Sequence, residues 1–154
     1  MNLIELKENE QFLAEKGSKE QFLKLRRLLN ELKNRYLPES IVTSINGKLE
    51  EINATSLTGK PLQKFLTAKL TDILKQLEKE LKLVPKDHFR TQWMVVGMSA
   101  FGLPFGVAFG LSLGNLAYLG LGLPFGMAIG IALGTSMDEK AKKEGRQLNL
   151  TSEE

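Results

Sequence analysis

GLPFGVAFGLSLG, residues 102–114, returns at an offset of 20 as GLPFGMAIGIALG, residues 122–134. Glycine takes every fourth position of each copy: Gly102, Gly106, Gly110 and Gly114, then Gly122, Gly126, Gly130 and Gly134. Both copies lie in residues 91–137, a run of 47 residues with no charged side chain and with 10 of the chain's 14 glycines. A hydrocarbon core about 30 Å thick takes roughly 20 apolar residues to cross. The run therefore predicts two membrane spans, near residues 93–114 and 119–137, joined by a short turn that includes Asn115 and Tyr118.

Glycine at this spacing lets helix backbones touch, which matters in lipid because no hydrophobic force draws helices together there. A spacing of four drifts about 40° per step on a helix of 3.6 residues per turn, so the stripe winds slowly. With a turn centred near residue 118, Gly114 is expected level with Gly122, Gly110 with Gly126, Gly106 with Gly130 and Gly102 with Gly134. Pro104 falls mid-span and should kink the first helix. Pro124 is expected in the first turn of the second, where proline is tolerated.

The segment resembles the glycine-zipper two-helix membrane proteins, whose pattern is small-xxx-Gly-xxx-Gly, often doubled in a hairpin. The resemblance covers residues 93–137. It implies close helix packing in a membrane, as part of a channel, a membrane-active toxin or a plain anchor, and it carries no catalytic residues.

The flanks are unlike this segment. Residues 1–90 hold 17 Lys and Arg against 13 Asp and Glu, and residues 138–154 hold four basic and five acidic side chains. Basic residues stand on both sides of the apolar run: Lys82, Lys86 and Arg90 before it, Lys140, Lys142, Lys143 and Arg146 after it. The turn is uncharged. The excess of basic residues on cytoplasmic flanks then predicts both termini in the cytoplasm, with a bacterial inner membrane as the expected location. Trp93 and Tyr118 are expected as aromatic anchors at the inner and outer interfaces. Lys75, Lys79, Lys82, Lys86 and Arg90 would attract anionic headgroups by roughly 1 kcal/mol per charge.

Residues 1–88 read as helix throughout, with Gly and Pro as punctuation. Ser18 with Gln21 predicts a capping box opening a helix to about Leu37, with Phe22, Leu25, Leu29, Leu32 and Tyr36 on one seam. Pro38 ends it and starts a shorter helix marked by Ile41, Ile45, Leu49 and Ile52. Residues 53–60 form a linker. A long helix then runs from about Pro61 to Leu83, its stripe wide enough to bury against two neighbours. The expected organisation is all-α: a cytosolic helical bundle over residues 1–90, a transmembrane hairpin with GxxxG repeats over 91–137, and a charged cytosolic tail over 138–154.

Reactive groups are scarce: one histidine, no cysteine and three aspartates. No phosphate loop, zinc spacing or nucleophile motif is present, so no enzyme, cofactor or metal is expected. His88 reads as an interfacial polar residue. A net charge of +3 is too small and too dispersed for nucleic acid as the main partner. The sequence points to a non-enzymatic, oligomerising membrane anchor or scaffold that presents its helical domain to a cytosolic protein. The alternative is a homo-oligomeric channel or membrane-permeabilising effector gated by that domain. The spans lack the internal charges that mark ion paths, although an apolar gate needs none.

Overall fold

The computed structural model describes residues 2–150. The chain is mostly helical and forms two compact units. One contains the described residues up to Leu83 together with those from Leu148 onward, and the other is Val84–Gln147.

The first unit opens with an extended arm, residues 2–9, followed by α1 (Glu10–Leu13), α2 (Lys16–Lys33), α3 (Glu39–Asn53) and α4 (Gly59–Leu81). The expected apolar seams meet in one core: Phe22, Leu25, Leu29 and Leu32 from α2, Ile41, Ile45, Leu49 and Ile52 from α3, and Leu62, Leu66, Leu70, Ile73 and Leu77 from α4. Phe12 of α1 stacks on Phe22 with ring centroids 5.1 Å apart.

Four readings of this half need correction. The arm is not helical. Its backbone is held instead by Asn46 and Asn53 side chains on α3, through bonds linking residues more than 40 apart in the chain. The Ser18–Gln21 capping box does not form, because α2 starts three residues earlier than that box requires, with Glu15 in the cap position. Ser18 is buried, and its hydroxyl donates back to the Glu15 carbonyl at 3.0 Å. Tyr36 is off the seam and 93% exposed, since α2 ends at Lys33. Pro38 disfavours helical geometry at Leu37, and the chain turns before it. Finally, Leu148 is fully buried in this core, far along the chain from the seams that build the rest of it.

α4 closes with a left-handed αL cap. Lys82 is left-handed (φ 58°), Lys82 N–H donates to the Glu78 carbonyl, and Leu83 N–H donates to that of Leu77. A short strand β1 (Val84–Pro85) pairs with β2 (Gln147–Leu148), and Val84 N–H donates to the Arg146 carbonyl at 3.0 Å.

In the second unit, α5 (His88–Gly97), a wide π turn (Met98–Gly102) and α6 (Leu103–Ser112) form one continuous helical stretch, His88–Ser112. A 3₁₀ turn (Leu116–Tyr118) leads into α7 (Leu119–Lys143). α7 continues past Met137 for another one and a half turns, and it buries Asp138 and Ala141 there.

Because Leu148 is fully buried in this core, a fragment ending at residue 88 has a hole in it. Leu148→Ala should destabilise the first unit by about 2–5 kcal/mol, read as a lower midpoint in denaturant. An unchanged midpoint would show that the core closes without Leu148.

Candidate functional site

Pro104 shapes the first span. It has no N–H to give to the carbonyl four residues back, and its ring crowds that carbonyl. The helix widens just upstream: residues 98–102 are π-helical, and Leu103 N–H donates to the Met98 carbonyl, five residues back. Ser99 Oγ donates to the Val95 carbonyl at 2.7 Å, so the hydroxyl is satisfied within the span. The expected kink is thus taken up by one wide turn. That turn inserts one residue into the period of four. Counting back from Gly110, Gly106 and Gly102, the next buried residue is Gly97 rather than Met98. Pro124 sits inside α7 as its sixth residue, not in its first turn.

The two helices run antiparallel with backbone against backbone. A Cβ on Gly122 would collide with the Gly102 carbonyl and with the Gly106 backbone nitrogen and Cα. A Cβ on Gly126 would strike Gly97 and Gly102, one on Gly130 would strike Trp93 and Met94, and one on Gly134 would strike Phe89 and Arg90. On the other helix, Gly97 faces Gly126 and Gly130, Gly102 faces Gly122 and Leu123, and Gly106 faces Leu119. Gly110 is also buried.

This register differs from the expected one. Gly106 is not level with Gly130, nor Gly102 with Gly134. The cause is Gly114, which has no atom within 4 Å of where its Cβ would be and so takes no part in the packing face. It is the left-handed residue (φ 61°) that ends α6. Asn115 N–H donates to the Gly110 carbonyl and Gly114 N–H to the Leu111 carbonyl, the paired bonds of a Schellman motif. The chain therefore turns at Gly114, about four residues before residue 118, and every cross-helix pairing slides by roughly twice that.

Asp138 continues the four-residue series Gly122, Gly126, Gly130, Gly134 on the buried face of α7, and it is 6% exposed. Its carboxylate accepts from the Phe89 N–H (3.1 Å) and the Arg90 N–H (2.8 Å). These are the second and third residues of α5, where an N-cap side chain normally bonds. The residue in the cap position, Asp87, is left-handed (φ 59°) and makes no such bond. α7 thus caps the facing helix in trans, with a negative charge at the positive end of its dipole. Composition places Asp138 at the start of a charged tail. Its place in the glycine series is the signal that marks it.

Of the other residues singled out, Lys82, Lys86 and Arg90 are exposed, and Trp93 is half-buried with its carbonyl facing Gly130. Tyr118 is exposed at the start of α7. Within the second unit, Lys86, Arg90 and Trp93 belong to the end where the chain enters and leaves, and Tyr118 belongs to the end where it turns. His88 opens α5 with its ring edge-on to Phe89 at 5.1 Å.

With glycine inside, the large side chains point outward. Val95, Phe101, Phe105, Phe109 and Leu111 on one helix and Leu121, Phe125, Ile129 and Leu133 on the other are all exposed. Both helices have 25 residues and are long and apolar enough to cross a membrane, and only 22% of the most apolar window of each is buried. Comparison of the chain with protein-family models, with curated proteins and with solved structures finds no match.

Two substitutions of the same kind separate packing from propensity. Gly126→Ala should destabilise the pair by about 1–3 kcal/mol, since its Cβ meets backbone that cannot rotate away. Gly120→Ala, into open space on the same helix, should be neutral or slightly stabilising. Thermal melts in detergent read both, and equal midpoints would refute the close contact. In the same assay Asp138→Ala should cost about 0.5–2 kcal/mol. Asp138→Asn, which keeps one acceptor, should cost less.

Proposed function

We propose that the protein is a non-enzymatic membrane anchor whose second unit crosses the bilayer as a glycine-zipper hairpin and whose first unit is presented to a protein partner on one side. The observation that carries this reading is the inverted burial of the two helices. A core helix of a soluble protein hides its apolar side chains. These helices hide glycine and expose phenylalanine, leucine, isoleucine and valine along their length. In water, an apolar surface of that extent needs a cover, and hydrocarbon supplies one: 25 helical residues run about 37 Å, enough to cross a core about 30 Å thick.

The ends of the second unit support a same-side topology. Val84 and Arg146, next to its entry and exit, are joined by a main-chain hydrogen bond, so both flanks leave the helix pair at one end. Lys86, Arg90, Lys140, Lys142 and Lys143 lie in the flanks, and this excess of basic residues supports the cytoplasm for that side. The tight contact leaves no lumen between the two helices, which favours an anchor over a pore formed by one chain. Self-association belongs to the same reading, through surfaces other than the glycine faces that the pair already uses.

The absence of native cysteine makes topology directly testable. Single cysteines at Lys19, Lys143 and Asn115, in chains reconstituted in sealed vesicles, are probed with a membrane-impermeant maleimide. Lys19→Cys and Lys143→Cys should label from one side, and Asn115→Cys should label only from the other. Labelling of all three from the same side would refute the spanning hairpin.

A further inference from the structure

The arm of the first unit lies against α3 in a regular way. Asn46 Oδ1 accepts from the Ile4 N–H (2.9 Å), and its Nδ2 donates to the Asn2 carbonyl (3.1 Å). Asn53 repeats the pattern three arm residues later: Oδ1 accepts from the Lys7 N–H (2.9 Å), and Nδ2 donates to the Glu5 carbonyl (3.0 Å). Each amide thus joins the carbonyl of one residue and the N–H of the residue two further on, as a neighbouring β-strand would. The repeat has a geometric basis. Two helical turns, from Asn46 to Asn53, rise about 10.5 Å, and three residues of extended chain cover about 10 Å.

The opposite wall has the same period. Arg26 and Lys33 of α2 face Glu8 and Glu5 of the arm, at 3.4 Å and 3.8 Å. These pairs are exposed and set register more than affinity. Leu3, Ile4 and Leu6 pack on the core. The groove therefore reads an extended main chain carrying apolar residues and two carboxylates three positions apart.

The arm does not fill this groove. A cleft of about 630 Å³ opens beside it, lined by Asn2, Leu3, Lys33, Tyr36 and Val42, and another of about 230 Å³ is lined by Ile4, Leu6, Phe22 and Leu29. Downstream, Glu8 and Asn9 are exposed and non-helical, whereas Phe12 is fully buried. The arm is thus joined through exposed, non-helical residues to a fixed aromatic anchor.

We infer that the α2–α3 groove is an exchangeable peptide site, and that its occupant in trans is residues 2–8 of a second copy of this chain. Every bond that holds the arm in cis is available in trans, because a second copy presents the same backbone, apolar side chains and carboxylates. Reciprocal exchange closes a two-fold dimer. From Lys7 in the partner's groove to Phe12 in its own core, the chain spans at most about 17 Å. The two first units must therefore stand side by side. The proposal rests on the anchor reading only in that chains held in one bilayer are concentrated enough to exchange.

The test uses the full chain in detergent and in vesicles. Glu5→Cys and Lys33→Cys, in separate chains distinguished by tag size, are mixed and treated with a short bis-maleimide. A mixed dimer is expected, and Asn46→Ala with Asn53→Ala in the Lys33→Cys chain should reduce its yield roughly tenfold. No mixed dimer, with cross-linking only inside a chain carrying both cysteines, overturns the proposal. A mixed dimer whose yield ignores the alanines also overturns it, as collision. Should the double-alanine chain lose its helical circular dichroism, excess synthetic peptide of residues 2–8 gives the same decision: the mixed dimer falls with peptide, or it persists and the proposal fails. Failure of the vesicle topology experiment would leave the cross-linking result in detergent unchanged.

Discussion

Direct contact between two helix backbones is the constraint on which the second unit depends. At Gly97, Gly102, Gly106, Gly122, Gly126, Gly130 and Gly134 the facing chain occupies the volume a Cβ would need. Any larger residue at one of these places forces the helices apart, and the loss spreads along the seam because neighbouring contacts share the same two backbones. The same constraint leaves many of the large apolar side chains, Phe101, Phe105, Phe125 and Leu133 among them, exposed. It also brings Asp138 within reach of the α5 amides, since only glycine at 134 lets α7 approach Phe89 and Arg90 so closely. The cap is thus a consequence of the packing as well as a support for it.

Proline and glycine act together in the first span. An uninterrupted period of four from Gly110 would place Met98 on the seam, and a methionine side chain cannot share the space that Gly97 leaves to Gly126 and Gly130. The π turn upstream of Pro104 shifts the series by one residue and restores glycine to the contact. A residue usually regarded as a helix breaker here corrects the register of a helix.

The glycine period, the two long apolar helices and the apolar seams of α2, α3 and α4 are legible in the sequence, because each repeats along one element. What repeats across elements, or is used once, is not. Gly114 continues the period of four but serves as a left-handed helix terminator, and spacing alone does not separate these roles. Gly97 is hidden by the inserted residue, and Leu148 by its isolation. Asn46, Asn53 and Asp138 are the least legible of all. Their amides and carboxylate bond to backbone far away in sequence and so leave no periodic trace, although Asn46 and Asn53, two helical turns apart, do share a face of α3.

Those three side chains perform one physical task. Each satisfies main-chain groups that regular structure leaves open: the outer edge of an extended arm in one unit and the first turn of a helix in the other. For the helix the requirement is stricter on the anchor reading. At the edge of hydrocarbon an unpaired N–H costs several kcal/mol and water is scarce. The local cap position is held by Asp87 in a left-handed conformation that makes no side-chain cap. A carboxylate delivered from the neighbouring helix meets the need only while the two helices stay in register. Capping, register and backbone contact then stand or fall together, and a pair built this way resists sliding better than glycine packing alone would allow.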